Sequence, residues 1–358
     1  RRKTLKNLEN PNKIRILLTT TIFGRDIGAS YVLAKILEHM GCACYISGSN
    51  TSYSCITKLW APHAVIAVTL NKAKELGKIY PNANLYYYPA EGGESYEYCT
   101  EKYFAEDADL FHRIKRIYLW GNFTKGHIFQ RINELKEASY LYGNEGILGK
   151  KCMVVGNPRL DIIRYFPEDL KYNKQRIRIG LVGWFNQLNS KSRGYVIRKM
   201  LSGTSIEDAE FQFDLLLTYV KIIEELDPSK YEISIRPYPL ETLKEYLEAT
   251  WAKNGKIKID QSLEFGTWAL NQDLIIGPTS STLSQIAIAK RPFINLDALS
   301  KRSVKAYKNS IRAVFLRHVE NHCPKDFKEL FNMIENYEKF SVETPEFENV
   351  LNDIYNCN

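Results

Sequence analysis

The sequence predicts an α/β protein of two doubly wound, Rossmann-type domains, and three observations carry that prediction. Apolar runs of strand length alternate with amphipathic runs of helical spacing along nearly the whole chain, the rhythm of a parallel sheet. The 358 residues, 44% of them hydrophobic, exceed what one ordinary core organises. A polar, charged, aperiodic stretch from Pro167 to Arg176 then breaks the rhythm where a domain boundary belongs. The expected partition is 1–170 for an N-terminal domain and 171–345 for a C-terminal one, with a last helix at 346–358 placed to pack back on the first.

In chain order, Lys13–Thr19 reads as a buried strand, followed by the loop TTIFGRD and helical apolar spacing from Ile27 to Met40. Gly41 opens a second strand, Cys42–Ile46. Helices near Cys55–Leu59 and over Asn71–Tyr80 bracket a strand at Ala64–Val68. The next strand, Asn84–Tyr88, delivers Pro89-Ala90-Glu91-Gly92-Gly93 into a loop, and in open α/β sheets ligands sit at the carboxyl ends of strands. Tyr96–His112 reads as helical. Its Asp107-Ala108-Asp109 places two carboxylates about 200° apart on a helix, so they cannot chelate one ion. A strand at Ile117–Trp120, a helix at Lys125–Leu135 and a strand at Met153–Val155 lead into Gly156-Asn157-Pro158-Arg159-Leu160-Asp161. Asp161 is either the N-cap of an Ile162–Phe166 turn or a site carboxylate at a strand end.

The second half opens with the strand Ile177–Val182 and the loop Gly183-Trp184-Phe185-Asn186. A polar excursion at Gly194–Ser205 precedes a long amphipathic helix, Phe211–Leu226. The strand Tyr231–Ile235 ends in Arg236-Pro237-Tyr238-Pro239-Leu240-Glu241, where prolines on both sides of Tyr238 stiffen the presentation of Arg236 and Tyr238. A helix at Glu241–Trp251, a strand at Ile257–Ile259 and a helix at Leu263–Leu270 follow. The chain closes with a strand near Ala313–Leu316 and helices at Lys325–Tyr337 and Glu346–Tyr355.

Between them lies the most informative stretch, Asp273–Asp297. It is a buried strand (Leu274–Ile276), a Gly277-Pro278 turn, the hydroxyl run Thr279, Ser280, Ser281, Thr282, an apolar helix, and a second strand after Pro292. Unpaired N–H groups in a helix's first turn favour an anion by about 0.3–1 kcal/mol, and hydroxyls add donors, so phosphate is a natural guest. Plain capping of the helix by Ser and Thr fits the same residues.

Charge and cysteine content narrow the class. A net charge of +8 suits an anionic substrate, nucleotide or lipid-carrier surface. No basic run is interleaved with aromatics, so nucleic acid is not an expected partner. The seven scattered cysteines form neither a disulfide framework nor a zinc pattern, and the six histidines lack metal-ligand spacing. No metal or cofactor is expected. A reducing cytoplasm follows, and with no apolar segment near the roughly 20 residues of a bilayer span, any membrane contact is peripheral, at the inner face.

The motifs YLWG (118–121), GNPRLD (156–161), RPYPLE (236–241) and DLIIGPTSSTLSQIA (273–287) together resemble the bacterial surface-carbohydrate biosynthesis proteins, including the retaining β-Kdo transferases. The likeness runs from about Lys13 to Leu296. It implies a GT-B-like fold, two Rossmann-type domains facing a central cleft, and transfer of Kdo from CMP-Kdo to a saccharide acceptor, free or lipid-linked, in lipopolysaccharide O-antigen or capsule synthesis. Glu91-Gly92, Tyr238-Pro239 and Ser280-Ser281 also fall in the order of the acidic-Gly, His-Pro and Ser-Ser elements of CMP-sugar-using sialyltransferases. By resemblance, Arg236, Ser280, Ser281 and Thr282 contact the donor phosphate and Glu241 the ribose hydroxyls. The chain departs from those enzymes at Tyr238, where they have His; a phenol of pKa about 10 donates a hydrogen bond but is no acid or base at neutral pH.

Departure of CMP leaves an oxocarbenium-like centre, and retention calls either for a nucleophile that forms a covalent adduct or for attack from the leaving-group face; carboxylates are the usual nucleophiles, with a second carboxyl as acid/base. Asp161 is the expected nucleophile and Glu91 the expected base, the reverse being open. Arg159 is a candidate partner of the sugar carboxylate or a structural ion-pair member. Trp184 is the candidate for stacking on a base, with core packing the alternative. Other CMP-nonulosonates such as sialic acid, a CDP-glycerol phosphotransferase, and a non-catalytic nucleotide-sugar-binding assembly subunit remain alternatives on the same loops.

Overall fold

The computed structural model of the chain describes residues 13–21, 23–48, 60–89, 108–135, 145–165, 175–189, 201, 206–262, 264–300, 317–342 and 345–355. Contacts divide the chain into one unit of residues 1–159 with 349–358 and a second of residues 160–348.

The first unit carries β1 (Arg15–Thr19), β2 (Ala43–Ser47), β3 (Ala64–Ala67), β4 (Asn84–Tyr87), β5 (Ile114–Leu119) and β6 (Cys152–Val154). They form one parallel sheet in the order β2-β1-β3-β4-β5-β6. Between them run α1 (Phe23–His39), α2 (Leu70–Ile79), α3 (Ala108–Arg113), α4 (Asn122–Leu135) and α5 (Glu145–Lys151), and α6 (Pro158–Tyr165) follows. Burial on both faces explains why β1 and β3 read as continuous apolar runs. Leu17, Val65, Leu85 and Ile117 meet Leu76 of α2 and Phe111 of α3 in one core. Cys42 and Cys44, two apart, lie on one face with Ile16, Leu18 and Ala34.

Two differences from the sequence reading bear on acidic residues. The helix expected from Ile27 starts at Phe23, which draws Asp26 out of the expected loop and into a first turn. There its Oδ2 accepts from the Thr21 N–H (2.9 Å) and hydroxyl (2.8 Å), and the residue is 5% exposed. Asp161 is not an N-cap: α6 begins at Pro158, whose fixed φ suits the first helical position, and Asn157 caps it by accepting from the Arg159 N–H at 3.0 Å.

The second unit holds β7 (Ile177–Val182), β8 (Tyr231–Arg236), β9 (Ile257–Ile259), β10 (Leu274–Gly277) and β11 (Phe293–Asn295). The order is β11-β10-β7-β8-β9, all parallel. The helices are α7 (Ile206–Glu225), α8 (Leu243–Glu248), α9 (Thr250–Lys253), α10 (Phe265–Leu270), α11 (Thr282–Ile288) and α12 (Phe327–Glu335), and α13 (Pro345–Tyr355) begins here but from Asn349 onward groups with the first unit. Leu215, Tyr219 and Ile222 of α7 and Leu330 and Ile334 of α12 cover the strand residues Ile179, Leu181, Ile233 and Ile276. The single helix expected over Glu241–Trp251 is two, because Ala249 adopts the extended φ −60°, ψ 138° between them. The helix expected near Cys55–Leu59, the strand near Ala313–Leu316, the excursion at Gly194–Ser205 and Asp107 lie wholly or mostly outside the described residues.

Candidate functional site

In the second unit the strand order reverses between β7 and β10, and the crevice at the carboxyl edge of such a reversal is where open α/β sheets take ligands. Three sequence-identified loops leave that edge side by side, because β7 pairs with both β8 and β10.

The loop after β10 sorts its four hydroxyl residues by depth. Thr279 is fully buried: its N–H donates to Asp297 Oδ1 (3.1 Å) and its Oγ1 accepts from Asn295 Nδ2 (2.7 Å), both from the end of β11. Thr279 is therefore a fastening. Ser280, Ser281 and Thr282 are half-buried. Ser280 Oγ lies 2.6 Å from Thr282 Oγ1 and accepts from the Thr282 N–H, the first of α11, at 3.3 Å.

The loops after β7 and β8 are strapped together. The Gly183 N–H donates to the Arg236 carbonyl at 2.7 Å. A Cβ on Gly183 would stand 2.8 Å from that carbonyl oxygen, backbone against backbone, so the approach needs glycine. The Phe185 N–H donates to Glu241 Oε1 at 2.5 Å, and Asn189 and Thr242 exchange two further bonds, each 3.0 Å. Trp184 sits half-buried on this strap with its ring edge-on to Phe211, and Tyr238 is half-buried on the facing loop.

Arg236 and Glu241 point inward. Arg236 is 7% exposed; its Nη1 makes an ion pair with Asp260 and donates to Ser262 O (2.5 Å) and Oγ (2.8 Å). Glu241 is 1% exposed, with its second oxygen accepting from the Tyr246 hydroxyl. A carboxylate this deep reaches no ribose unless the loops part. Burial pushes its pKa up to about 7, against the hydrogen bonds from Tyr246, Phe185 and Tyr238 that lower it. Burial and the nearby Glu241 charge in turn raise the Tyr246 and Tyr219 hydroxyls.

That shift has a signed consequence. The native state keeps a proton on Glu241 that the unfolded chain releases from its ordinary 4.5, so stability falls as pH rises from about 4.5 to about 7. The loss amounts to roughly 3 kcal/mol. Urea midpoints at pH 5 and pH 8 should show the decline in the native protein and a much shallower one in Glu241→Gln; equal slopes would remove the assignment.

In the first unit a pocket opens at the carboxyl edge where β1 and β3 mark the strand reversal, lined by Thr19, Asp26, Tyr88, Trp120, Asn157 and Arg159. Arg159 therefore belongs to that unit, whereas Asp161, exposed in the first turn of α6, groups with the second. Glu91 lies outside the described residues. Sequence reasoning passed over Asp26, Asp260 and Tyr246; an acidic residue directly after a strand was the available signal for Asp260, an acidic residue between a strand and the following helix was that for Asp26, and nothing local pointed to Tyr246. Among the described residues no three His, Cys, Asp or Glu side chains gather as metal ligands, and no helix is long and apolar enough to cross a membrane.

No family model matches the chain, and no curated protein matches it in sequence. Solved structures do match. S. aureus MnaA, in a structure with UDP, aligns with a TM-score of 0.51 at 12% identity, covering 95% of this chain and 92% of that one. A variant of the wall teichoic acid polymerase TagF, soaked with CDPG, aligns with a TM-score of 0.54 at 12% identity, covering 98% of this chain and 84% of that one. The fold is thus the GT-B-like α/β architecture of two Rossmann-type units.

Proposed function

We propose that the chain is a nucleotide-sugar glycosyltransferase, moving Kdo from CMP-Kdo to a saccharide acceptor of a bacterial surface polysaccharide with retention of configuration. The observation that carries this reading is the half-exposed trio Ser280, Ser281 and Thr282 at the strand reversal of the second sheet, beside a loop bearing Trp184. Proteins of like fold were solved with UDP and CDPG, which supports a nucleotide there.

In this reading the three hydroxyls and Tyr238 donate to the donor phosphate and Trp184 stacks on the cytosine. Arg236 lends its charge from the strand end while tied to Asp260 and Ser262. Arg159 meets the sugar carboxylate. The Asp161 carboxylate bonds to the anomeric carbon as the C–O bond to CMP breaks and its electron pair leaves with the phosphate. The acceptor oxygen then attacks from the face that CMP left, opposite Asp161; the bond to Asp161 breaks, its electron pair returns to the carboxylate, and the acceptor's proton goes to Glu91.

The test is calorimetry with CMP together with CMP release from CMP-Kdo, a CMP-sialic acid and CDP-glycerol in the presence of a saccharide acceptor. CMP binding and release from CMP-Kdo alone is the expected result. Release from one of the other donors transfers the reading to that donor. Binding without turnover of any donor replaces it with a non-catalytic assembly subunit, a role that Tyr238 in the histidine position favours.

A further inference from the structure

We infer that Glu241 is a positioning residue that acts through the loops after β7 and β8, setting where Trp184 and Tyr238 stand, and touches no ligand itself. The inference rests on the proposed donor site for its functional consequence, and on the second unit's own geometry for the rest.

The Glu241 side chain joins the loop that carries it to the loop after β7 and to α8. Its Oε1 takes the Phe185 N–H from the loop after β7, its Oε2 takes the Tyr246 hydroxyl from α8, and its own N–H donates to the Tyr238 carbonyl at 2.9 Å. Phe185 is buried and Tyr246 half-buried, and a buried donor left without an acceptor is costly. An alanine here would therefore strand two donors at once rather than remove one contact.

The opposite side of the loop is held independently. Phe185 meets the Tyr219 ring edge-on, with centroids 5.6 Å apart, and the Tyr219 hydroxyl donates to the carbonyl of Val182, the last residue of β7, at 2.6 Å. Gln212 accepts from the Gln187 N–H (2.9 Å) and donates to Asn186 Oδ1 (3.1 Å). Trp184 therefore lies between a backbone fixed at Gly183 by Arg236 and one fixed at Phe185 by Glu241. Of these two anchors, the Gly183 bond is main chain to main chain and survives any substitution of Glu241. Losing the Phe185 anchor loosens the segment that carries the indole, which then rests on the Gly183 bond and on the ring contacts of Trp184 with Phe211 and of Phe185 with Tyr219.

Glu241→Ala, Glu241→Gln and Tyr246→Phe test it. Trp184 emission is obtained by subtracting the spectrum of the matching protein that also carries Trp184→Phe, and CMP affinity by calorimetry. Glu241→Ala is expected to red-shift the Trp184 emission and weaken CMP about tenfold or more. Glu241→Gln, whose amide oxygen still accepts from the Phe185 N–H, should restore the emission and bring affinity to within about threefold of the native protein. Tyr246→Phe, which leaves the Phe185 anchor in place, should keep the emission unchanged. A folded Glu241→Ala protein with native emission overturns the inference, and so does Glu241→Gln as damaged as Glu241→Ala. Should Glu241→Ala fail to fold, a red shift in Glu241→Gln or in Tyr246→Phe overturns it, and native emission in both upholds it. If the native protein does not bind CMP, the donor reading falls, while the emission spectra still decide whether Glu241 holds the loop.

Discussion

Asp161→Asn is expected to lower transfer by about three orders of magnitude or more while CMP still binds, as removal of a covalent nucleophile does elsewhere. The structural cost of the change should be small. Asn157 and Pro158 already start α6, so the helix does not depend on Asp161 for its cap. What the substitution loses is a negative charge in the first turn, an effect of about 0.3–1 kcal/mol. The residue is exposed rather than buried, so asparagine, of nearly the same shape, creates no cavity. Initial rates of CMP release from CMP-Kdo, with calorimetry of CMP on the same preparation, separate chemistry from binding. An Asp161→Asn protein as active as the native one removes the nucleophile from Asp161. Glu91→Gln should lose transfer in the same way, since in this scheme it receives the acceptor's proton.

Arg236→Ala should destabilise the second unit by about 3–5 kcal/mol, the range for breaking a buried ion pair from one side. The guanidinium is nearly sealed from water and its Nη1 serves Asp260 and both oxygens of Ser262. Truncation leaves the Asp260 carboxylate, itself largely screened from solvent, without its counter-charge, and opens a gap behind the loop that carries Tyr238. Lysine cannot replace the planar fork, so Arg236→Lys should recover only part of the loss. Urea denaturation of the two variants measures this directly. A protein that keeps its native midpoint but no longer binds CMP would place the guanidinium's task at the ligand instead of behind the loop.

Both substitutions fall in motifs that the sequence marks, yet they are expected to act by different physics, and only the structure separates them. RPYPLE reads as one stiff loop presenting Arg236, Tyr238 and Glu241. In three dimensions it faces two ways, with Tyr238 half-exposed and both charged residues turned into the protein. The hydroxyl run after β10 divides likewise, Thr279 inward and the next three residues at the edge. Linear order cannot show this, because the partners that draw Arg236 and Glu241 inside, Asp260 and Phe185, lie 24 and 56 residues away.

What the sequence determined by itself is the architecture. Strand and helix periodicities belong to the local chain, and Ile177–Val182 and Ile257–Ile259 appear with the bounds their apolar runs predict. The strand-turn-helix-strand order over Asp273–Asp297 and the positions of the loops after β7, β8 and β10 just past strand ends follow from the same periodicity. Tertiary structure alone decided which side chain of each loop faces the ligand edge and which becomes internal scaffolding. It also decided where helices break, at Ala249, or start early, at Phe23. The reason is that burial and hydrogen-bond partners are set by sheet order, which places side by side strands that the chain holds far apart.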